Sequence, residues 1–413
     1  MMKIIARPLT VLTTCLCLCC SQGTTVSNDP PPPAPSFANL SAAERSLTSS
    51  GSVFGLELFR DIVKHEHADS NVFISPLSIS VALGMTANGA VGETREQMYT
   101  ALQFPELTPS QINEAYKNVI EILPQIDPEI TVGIAQSIWY PPHISVQPNF
   151  IDLSRAYFSA LVRELDFSLP SANDTINIWV AGETNDRIPK LLENRIERDI
   201  IMILVNAIYF KGAWMYRFNP DSTTDDQFTL ANGSQIACRM MNKLGDVGYF
   251  ADSLFEAVNL PYGKGDFAMA VFLPRPSLGT LELAEQFTEN NWAAWVQRFY
   301  EEQVLLQFPK FKIEYGIGLN NHLRRLGMTL PFLPSADFSN MFAGGGGWID
   351  TVIHKAFVEV NEEGTEAAAA TVVLMERSGP ITFRVDRPFI FVIWERQTGT
   401  ILFMGKVSRP VGS

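Results

Sequence analysis

The run Ile200-Ile-Met-Ile-Leu-Val-Asn-Ala-Ile-Tyr-Phe210 limits what this chain can fold into more than any other stretch. It is almost continuously apolar and does not alternate, so it cannot be a strand with one wet face. Such a run reads as a strand buried on both faces, in the centre of a sheet. A chain of 413 residues with 46% hydrophobic residues can supply a large core around it.

The flanking patterns say what kind of fold holds that strand. Helical stripes are predicted over 52–64, 94–102, 109–123, 147–158, 172–185 and 319–326, and one or two helices over 280–299. Pro76 opens a further helix over 77–87, a position proline suits. Strands are predicted at 71–76, 131–140, 160–166 and 349–360, with several between 227 and 274. The stretch 304–315 reads as a strand pair or one long strand. Residues 389–394 and 400–407 form a closing hairpin across Arg396-Gln-Thr-Gly399. Helices cluster early and strands late, without regular β-α alternation, which favours an α+β fold over a doubly wound one. There is no internal repeat.

The N-terminus reads as an export signal. Lys3 and Arg7 precede the uncharged run Leu9–Leu18, too short to span a membrane and the right length for a signal peptide core. Cys20-Ser-Gln-Gly resembles a bacterial lipoprotein junction, although Cys19 and Cys17 stand where a small residue and leucine are usual. Lipidation at Cys20 and ordinary cleavage are the two readings. Residues 1–20 are thus assigned to the signal and 21–49 to a tether, stiffened by Pro30-Pro-Pro-Pro-Ala-Pro35. The expected destination is extracellular, or a membrane surface through the N-terminal lipid. A net charge of −13 argues against a nucleic-acid partner. Once the signal is gone only Cys20 and Cys238 remain, so disulfides contribute nothing and the fold stands on its core.

The stretch Glu359–Pro380, EVNEEGTEAAAATVVLMERSGP, has a double character. Glu366-Ala-Ala-Ala-Ala370 is made of strong helix formers, and Val372-Val-Leu374 favours a strand. Gly364 permits a hinge bend ahead of them. Extended, the segment has one uncharged face, Thr365, Ala367, Ala369, Thr371, Val373 and Met375. Its other face carries Glu366, Ala368, Ala370, Val372, Leu374 and Glu376. It could stand outside as a loop, slide small side chains first into a gap in a sheet, or form a plain surface helix over 364–377.

This stretch resembles the hinge and reactive-centre loop of the serpins, a family of conformationally trapping protease inhibitors. Other stretches carry the resemblance independently and in order: Asn71–Met85, Leu204–Trp214, His354–Thr371, Val385–Ile393 and Phe403–Val407. Together they cover about residues 50–410, a single domain with its reactive loop at about 362–381. The resemblance implies a fold of three β-sheets and eight or nine helices, whose largest sheet opens to receive the loop. It implies no enzyme activity and no cofactor, a monomer, and a serine or cysteine protease as partner. The hinge would comprise Glu362, Glu363, Gly364, Thr365, Glu366, Ala367, Ala368, Ala369, Ala370 and Thr371. Ser75, Ser78, Asn206 and His354 match the region that controls opening. Trp214, Lys310 and Glu362 match residues at the mouth of the gap, the last two as an ion pair. Taken alone, His354 could be an ordinary core histidine and Glu362 a solvated strand-end charge.

The reactive bond has two main candidates. Arg377-Ser378 suits a trypsin-like protease with an acidic specificity pocket. The family's usual spacing from Gly364 points to Ser378-Gly379, which would suit an elastase- or subtilisin-like one. Met375-Glu376 is a third. Nothing charged, bulky or proline-like obstructs the inserting face, so an inhibitor is expected rather than a non-inhibitory binding or chaperone relative. Rival sites are weak. His65-Glu-His67 lacks metal-ligand spacing, and Gly344–Gly347 lacks the Lys-Ser/Thr of a phosphate loop. No Gly-x-Ser-x-Gly elbow occurs.

Overall fold

The structure, a computed structural model, describes residues 39–193, 195–197, 200–344, 347–363 and 380–410. All of them belong to a unit running from Pro35 to Ser413. Among them are nine α-helices: α1 (Ala42–His65), α2 (Pro76–Ala87), α3 (Gly92–Ala101), α4 (Pro109–Ile122), α5 (Pro148–Phe158), α6 (Ala172–Glu183), α7 (Thr280–Glu285), α8 (Glu289–Val296) and α9 (Asn320–Arg325). The first seven strands are β1 (Val72–Ile74), β2 (Ile130–Tyr140), β3 (Leu161–Glu164), β4 (Ile203–Gly212), β5 (Thr224–Thr229), β6 (Gln235–Ala251) and β7 (Phe255–Tyr262). The remainder are β8 (Phe267–Pro274), β9 (Tyr300–Pro309), β10 (Phe311–Gly318), β11 (Thr351–Val360), β12 (Ile381–Arg384), β13 (Phe389–Glu395) and β14 (Ile401–Val407).

Local chemistry explains where several of these begin. Pro76 is the first residue of α2, and Ser75 caps it by accepting from the Ser78 N–H. Helix α1 starts earlier than its apolar stripe. Ser41 and Glu44 form a capping box, so the helix opens at Ala42, and Leu40 and Leu47 join the core. The tether expected over 21–49 is therefore corrected: residues 42–49 are folded. Their polar composition hides the helix from a periodicity search, because the cap rather than the stripe sets its start. The stretch 304–315 is two strands divided at Lys310, and they belong to different sheets.

The apolar run forms β4, whose residues Ile203–Phe210 are all buried. Its sheet has five strands in the order β10-β11-β4-β2-β3. The other strands form one hydrogen-bonded set of nine, β1-β14-β13-β8-β7-β6-β9-β12 with β5 on β6. The three sheets expected appear as two sets because β6 is shared. Its first half pairs with β5 and its middle with β9, while its last residues, Gly248–Ala251, cross over to β7.

The five-stranded sheet has two covered faces. On the front, α6 places Ile176 and Val180 over Ile203, Val205 and Ala207 of β4. On the back, Leu204, Ile208 and Phe210 of β4 join the main core with α1, α2, α4 and α5. No described helix is long and apolar enough to cross a membrane.

Candidate functional site

Strands β4 and β11 meet along a parallel seam, with Thr351 opposite Ile203 through to Val358 opposite Phe210. β11 leads directly into the stretch that resembles a reactive loop. Three sets of side chains fasten this seam, at its mouth, its middle and its foot.

At the mouth, the chain leaving β11 is tied to the end of β4 and to the other sheet. Trp214 is 4% exposed, and its ring stacks on Tyr262 at 4.4 Å and 10°. Its indole Nε1–H donates to the Asn361 carbonyl at 2.9 Å. Lys310, in the break between β9 and β10, places Nζ 2.8 Å from Glu362 Oε2. Thr223 Oγ1 donates to Glu362 Oε1 at 2.7 Å. Glu362 is only 8% exposed, so the solvated-charge alternative is overturned. Burial by itself raises the pKa of this carboxyl. The hydrogen bonds from Lys310, Thr223 and its own backbone, with the Lys310 charge, outweigh that and leave it below its ordinary value. A cleft of about 220 Å³ opens here, walled by Tyr209, Lys211, Trp214, Phe357, Asn361 and Glu363.

In the middle, Asn206 and His354 stand directly opposite one another in the seam. His354 Nδ1–H donates to Asn206 Oδ1 at 2.7 Å, and its Nε2 accepts from the Ser75 N–H at 3.2 Å. Asn206 Nδ2 donates to Ser78 Oγ at 2.6 Å and to the Ser78 carbonyl at 3.2 Å. Ser75 Oγ donates to the Leu402 carbonyl at 2.8 Å. The first turn of α2, both seam strands and β14 thus share one buried network. His354 is fully buried, and desolvation pushes its pKa down to about 3. It is held neutral, with one ring nitrogen donating and the other accepting. His354 is therefore a satisfied core histidine and also the link between the two strands.

At the foot, the Asp350 carboxylate spans the seam. Its Oδ2 accepts from the backbone N–H groups of Ile201 at 2.6 Å and Met202 at 3.0 Å, just ahead of β4. Its Oδ1 accepts from Trp348 Nε1 at 2.8 Å. Asn320, opening α9, donates from Nδ2 to the Asp350 carbonyl and accepts from the Val352 N–H.

The structure therefore brings together Ser75, Ser78, Asn206 and His354 in one group, and Trp214, Lys310 and Glu362 in another. Glu363 sits at the mouth, its N–H donating to Asn361 Oδ1 at 3.0 Å. The hinge residues Gly364–Thr371, the reactive-bond candidates Arg377, Ser378 and Gly379, and Cys20 lie outside the described residues. Sequence reasoning missed Thr223, Tyr262 and Asp350, which come from other elements and carry no local pattern. Asp350, one residue before a long strand and charged, was the most findable of them. Of the rival sites, His65 faces Asp61 at 3.3 Å, and no cluster of metal-ligating side chains occurs among the described residues.

A family model described as Serpin (serine protease inhibitor) matches residues 49–410. Leukocyte elastase inhibitor A of Mus musculus is 34% identical over 383 residues, covering 88% of this chain and 99% of that protein. The native crystal structure of a thermophilic serpin, tengpin, is similar with a TM-score of 0.80 and 31% identity, covering 90% of this chain and 95% of that one. Human thyroxine-binding globulin, crystallised with its hormone, matches with a TM-score of 0.82 and 27% identity, covering 90% of this chain and 100% of that one.

Proposed function

The chain belongs to the serpin family, and on that premise we propose that it is a single-use inhibitor of serine proteases. The reactive loop is offered as a substrate. The protease serine attacks the carbonyl of Arg377, the bond to Ser378 breaks, and the leaving amine takes up the proton. The acylated loop then enters the seam between β4 and β11 as a new strand. About 14 residues at strand rise carry the attached protease roughly 46 Å, and its active site is distorted there.

One observation carries this reading: the parallel β4–β11 seam, continuous with the loop. A segment folding back from the end of β11 runs antiparallel to β11. Because β4 is parallel to β11, it runs antiparallel to β4 as well. Insertion therefore replaces one parallel ladder by two antiparallel ones, the better-paired arrangement. Each added ladder bond contributes about 1 kcal/mol net, and burial of the uncharged face adds to it. Working stability is then kinetic, because the intact form is not the most stable one.

Arg377-Ser378 is the assigned bond, and a trypsin-like enzyme the assigned target class. The mouse relative is named for inhibiting an elastase, and an elastase-like pocket would take Ser378-Gly379 instead. We also assign residues 1–20 to export, with Cys20 as a lipid attachment point that tethers the monomer to a membrane. A panel of trypsin-, elastase- and subtilisin-like proteases tests the central claim. The expected result is an SDS-resistant complex and a released peptide whose mass begins at Ser378. Cleavage with turnover and no complex would overturn it in favour of a non-inhibitory binding protein.

A further inference from the structure

The polar middle of the seam has a third member that the network leaves out. Gln136 of β2 lies directly opposite Asn206 of β4, which lies directly opposite His354 of β11. Directly paired residues share a face of the sheet, so all three line its back in one row. Asn206 and His354 are bonded to each other and to α2. Gln136 is just as deeply placed, at 3% exposure. Yet neither its Nε2 nor its Oε1 has a hydrogen-bond partner among the described residues.

A buried amide with both ends unpaired opposes folding, and such groups are rare enough in native proteins to call for a reason. The neighbours on the same face of β2 are Ile134 and Ile138. Leucine at 136 would suit this closed sheet better than glutamine does. The side chain is spare here, and its use must be sought in another state of the sheet.

Resting on the inhibitor reading above, we propose that Gln136 is the positioning residue that takes over Asn206 once the seam has parted. A strand inserted between β4 and β11 moves His354 away from Asn206 by about one strand spacing, roughly 4.8 Å. The 2.7 Å bond from His354 Nδ1 to Asn206 Oδ1 cannot span that displacement. The β2–β4 ladder, with Ile130 opposite Gly212 through Trp139 opposite Ile203, lies on the far side of β4 and stays closed. Gln136 therefore remains beside Asn206, and its Nε2–H donates to the Asn206 Oδ1 that His354 has vacated. Insertion relieves the unpaired Gln136 amide in the same step that would otherwise leave Asn206 unpaired. The closed sheet carries the strain, and the opened sheet releases it.

The test is Gln136→Leu in the full chain, with thermal midpoints measured for the intact and loop-cleaved forms. The expected result is an intact midpoint raised by about 2 °C, a smaller rise on cleavage than in the wild type, and a smaller fraction of protease trapped. Gln136→Met repeats the measurement with an unbranched side chain should leucine prevent folding. A double-mutant cycle with Asn206→Ala gives a readout that mere packing would not move. Coupling between positions 136 and 206 is expected in the cleaved form and absent from the intact one. If the wild type gains on cleavage and both Gln136 variants gain as much, or if coupling appears equally in both forms, this inference is overturned alone. If the wild type itself gains nothing on cleavage, the trapping reading falls and takes this one with it.

Discussion

The two edges of β11 are built differently. Toward β10 the pairing is antiparallel and covers Ile353–Val360, from Phe311 opposite Val360 to Gly318 opposite Ile353. An ion pair of 2.6 Å between Lys355 and Glu314 reinforces it. Toward β4 the pairing is parallel, and discrete polar fastenings supplement the ladder at mouth, middle and foot. A permanent edge can rely on continuous ladder and packing. Under the proposed trapping function the β4 edge opens, and such an edge benefits from a few strong bonds that hold until they are broken together. Substitutions along the seam should therefore weaken the intact protein much more than the loop-cleaved one, and substitutions away from it, Gln136 apart, should not discriminate.

The largest effect is expected at the mouth. Trp214→Ala removes a buried aromatic stack and the anchor of Asn361, and should destabilise the intact form by about 3–5 kcal/mol. Chemical denaturation of intact and cleaved protein would check it; equal losses in both forms would break the comparison. In the middle, His354→Ala or Asn206→Ala leaves buried partners unpaired, for a loss of about 2–4 kcal/mol in the intact form.

Acid should act on the same network. His354 has a folded pKa of about 3 against 6.5 for an ordinary histidine. Between those values the unfolded chain binds a proton that the folded chain refuses. Stability from this group is whole above about pH 6.5 and falls by about 1.4 kcal/mol for each pH unit below it. Glu362 acts in the same sense lower down: its pKa is depressed from 4.5, so its contribution is present above that value and fades as pH drops through the folded one. Urea midpoints at pH 7, 6 and 5 should show the decline, and a His354→Asn variant should flatten it. An unchanged slope in that variant would assign the acid sensitivity elsewhere.

Two smaller effects sharpen the contrast. Asp350→Ala frees two backbone N–H groups at the foot and should cost about 1–2 kcal/mol in the intact form, while speeding loop insertion. Rates of complex formation by stopped-flow would reveal it, and a slower variant would refute the role of the foot. Arg187, 3.7 Å from Glu359 in a half-exposed pair, should matter by less than about 0.5 kcal/mol when changed to alanine. A thermal midpoint indistinguishable from wild type in both forms is expected.

Much of the architecture is legible in the sequence. The unbroken apolar run at 200–210 announced a central strand, and Pro76 marked the start of α2. Asn206 and His354 were picked out only through the family resemblance; taken alone, His354 read as an ordinary core histidine. The start of α1 escaped notice because Ser41 and Glu44 set it through capping, with little apolar stripe to follow. The merger of two expected sheets escaped notice because β6 shows no break in its sequence where it changes partners.

By itself the sequence determined most of the strands and helices and which family the chain resembles. Those properties depend on spacing and side-chain type within a few neighbouring positions. Only the tertiary structure decided that Glu362 is buried against Thr223, that Asp350 closes the foot, and that Gln136 has no hydrogen-bond partner among the described residues. Hydrogen bonding depends on distances of about 3 Å between groups far apart along the chain, and no local period encodes that separation.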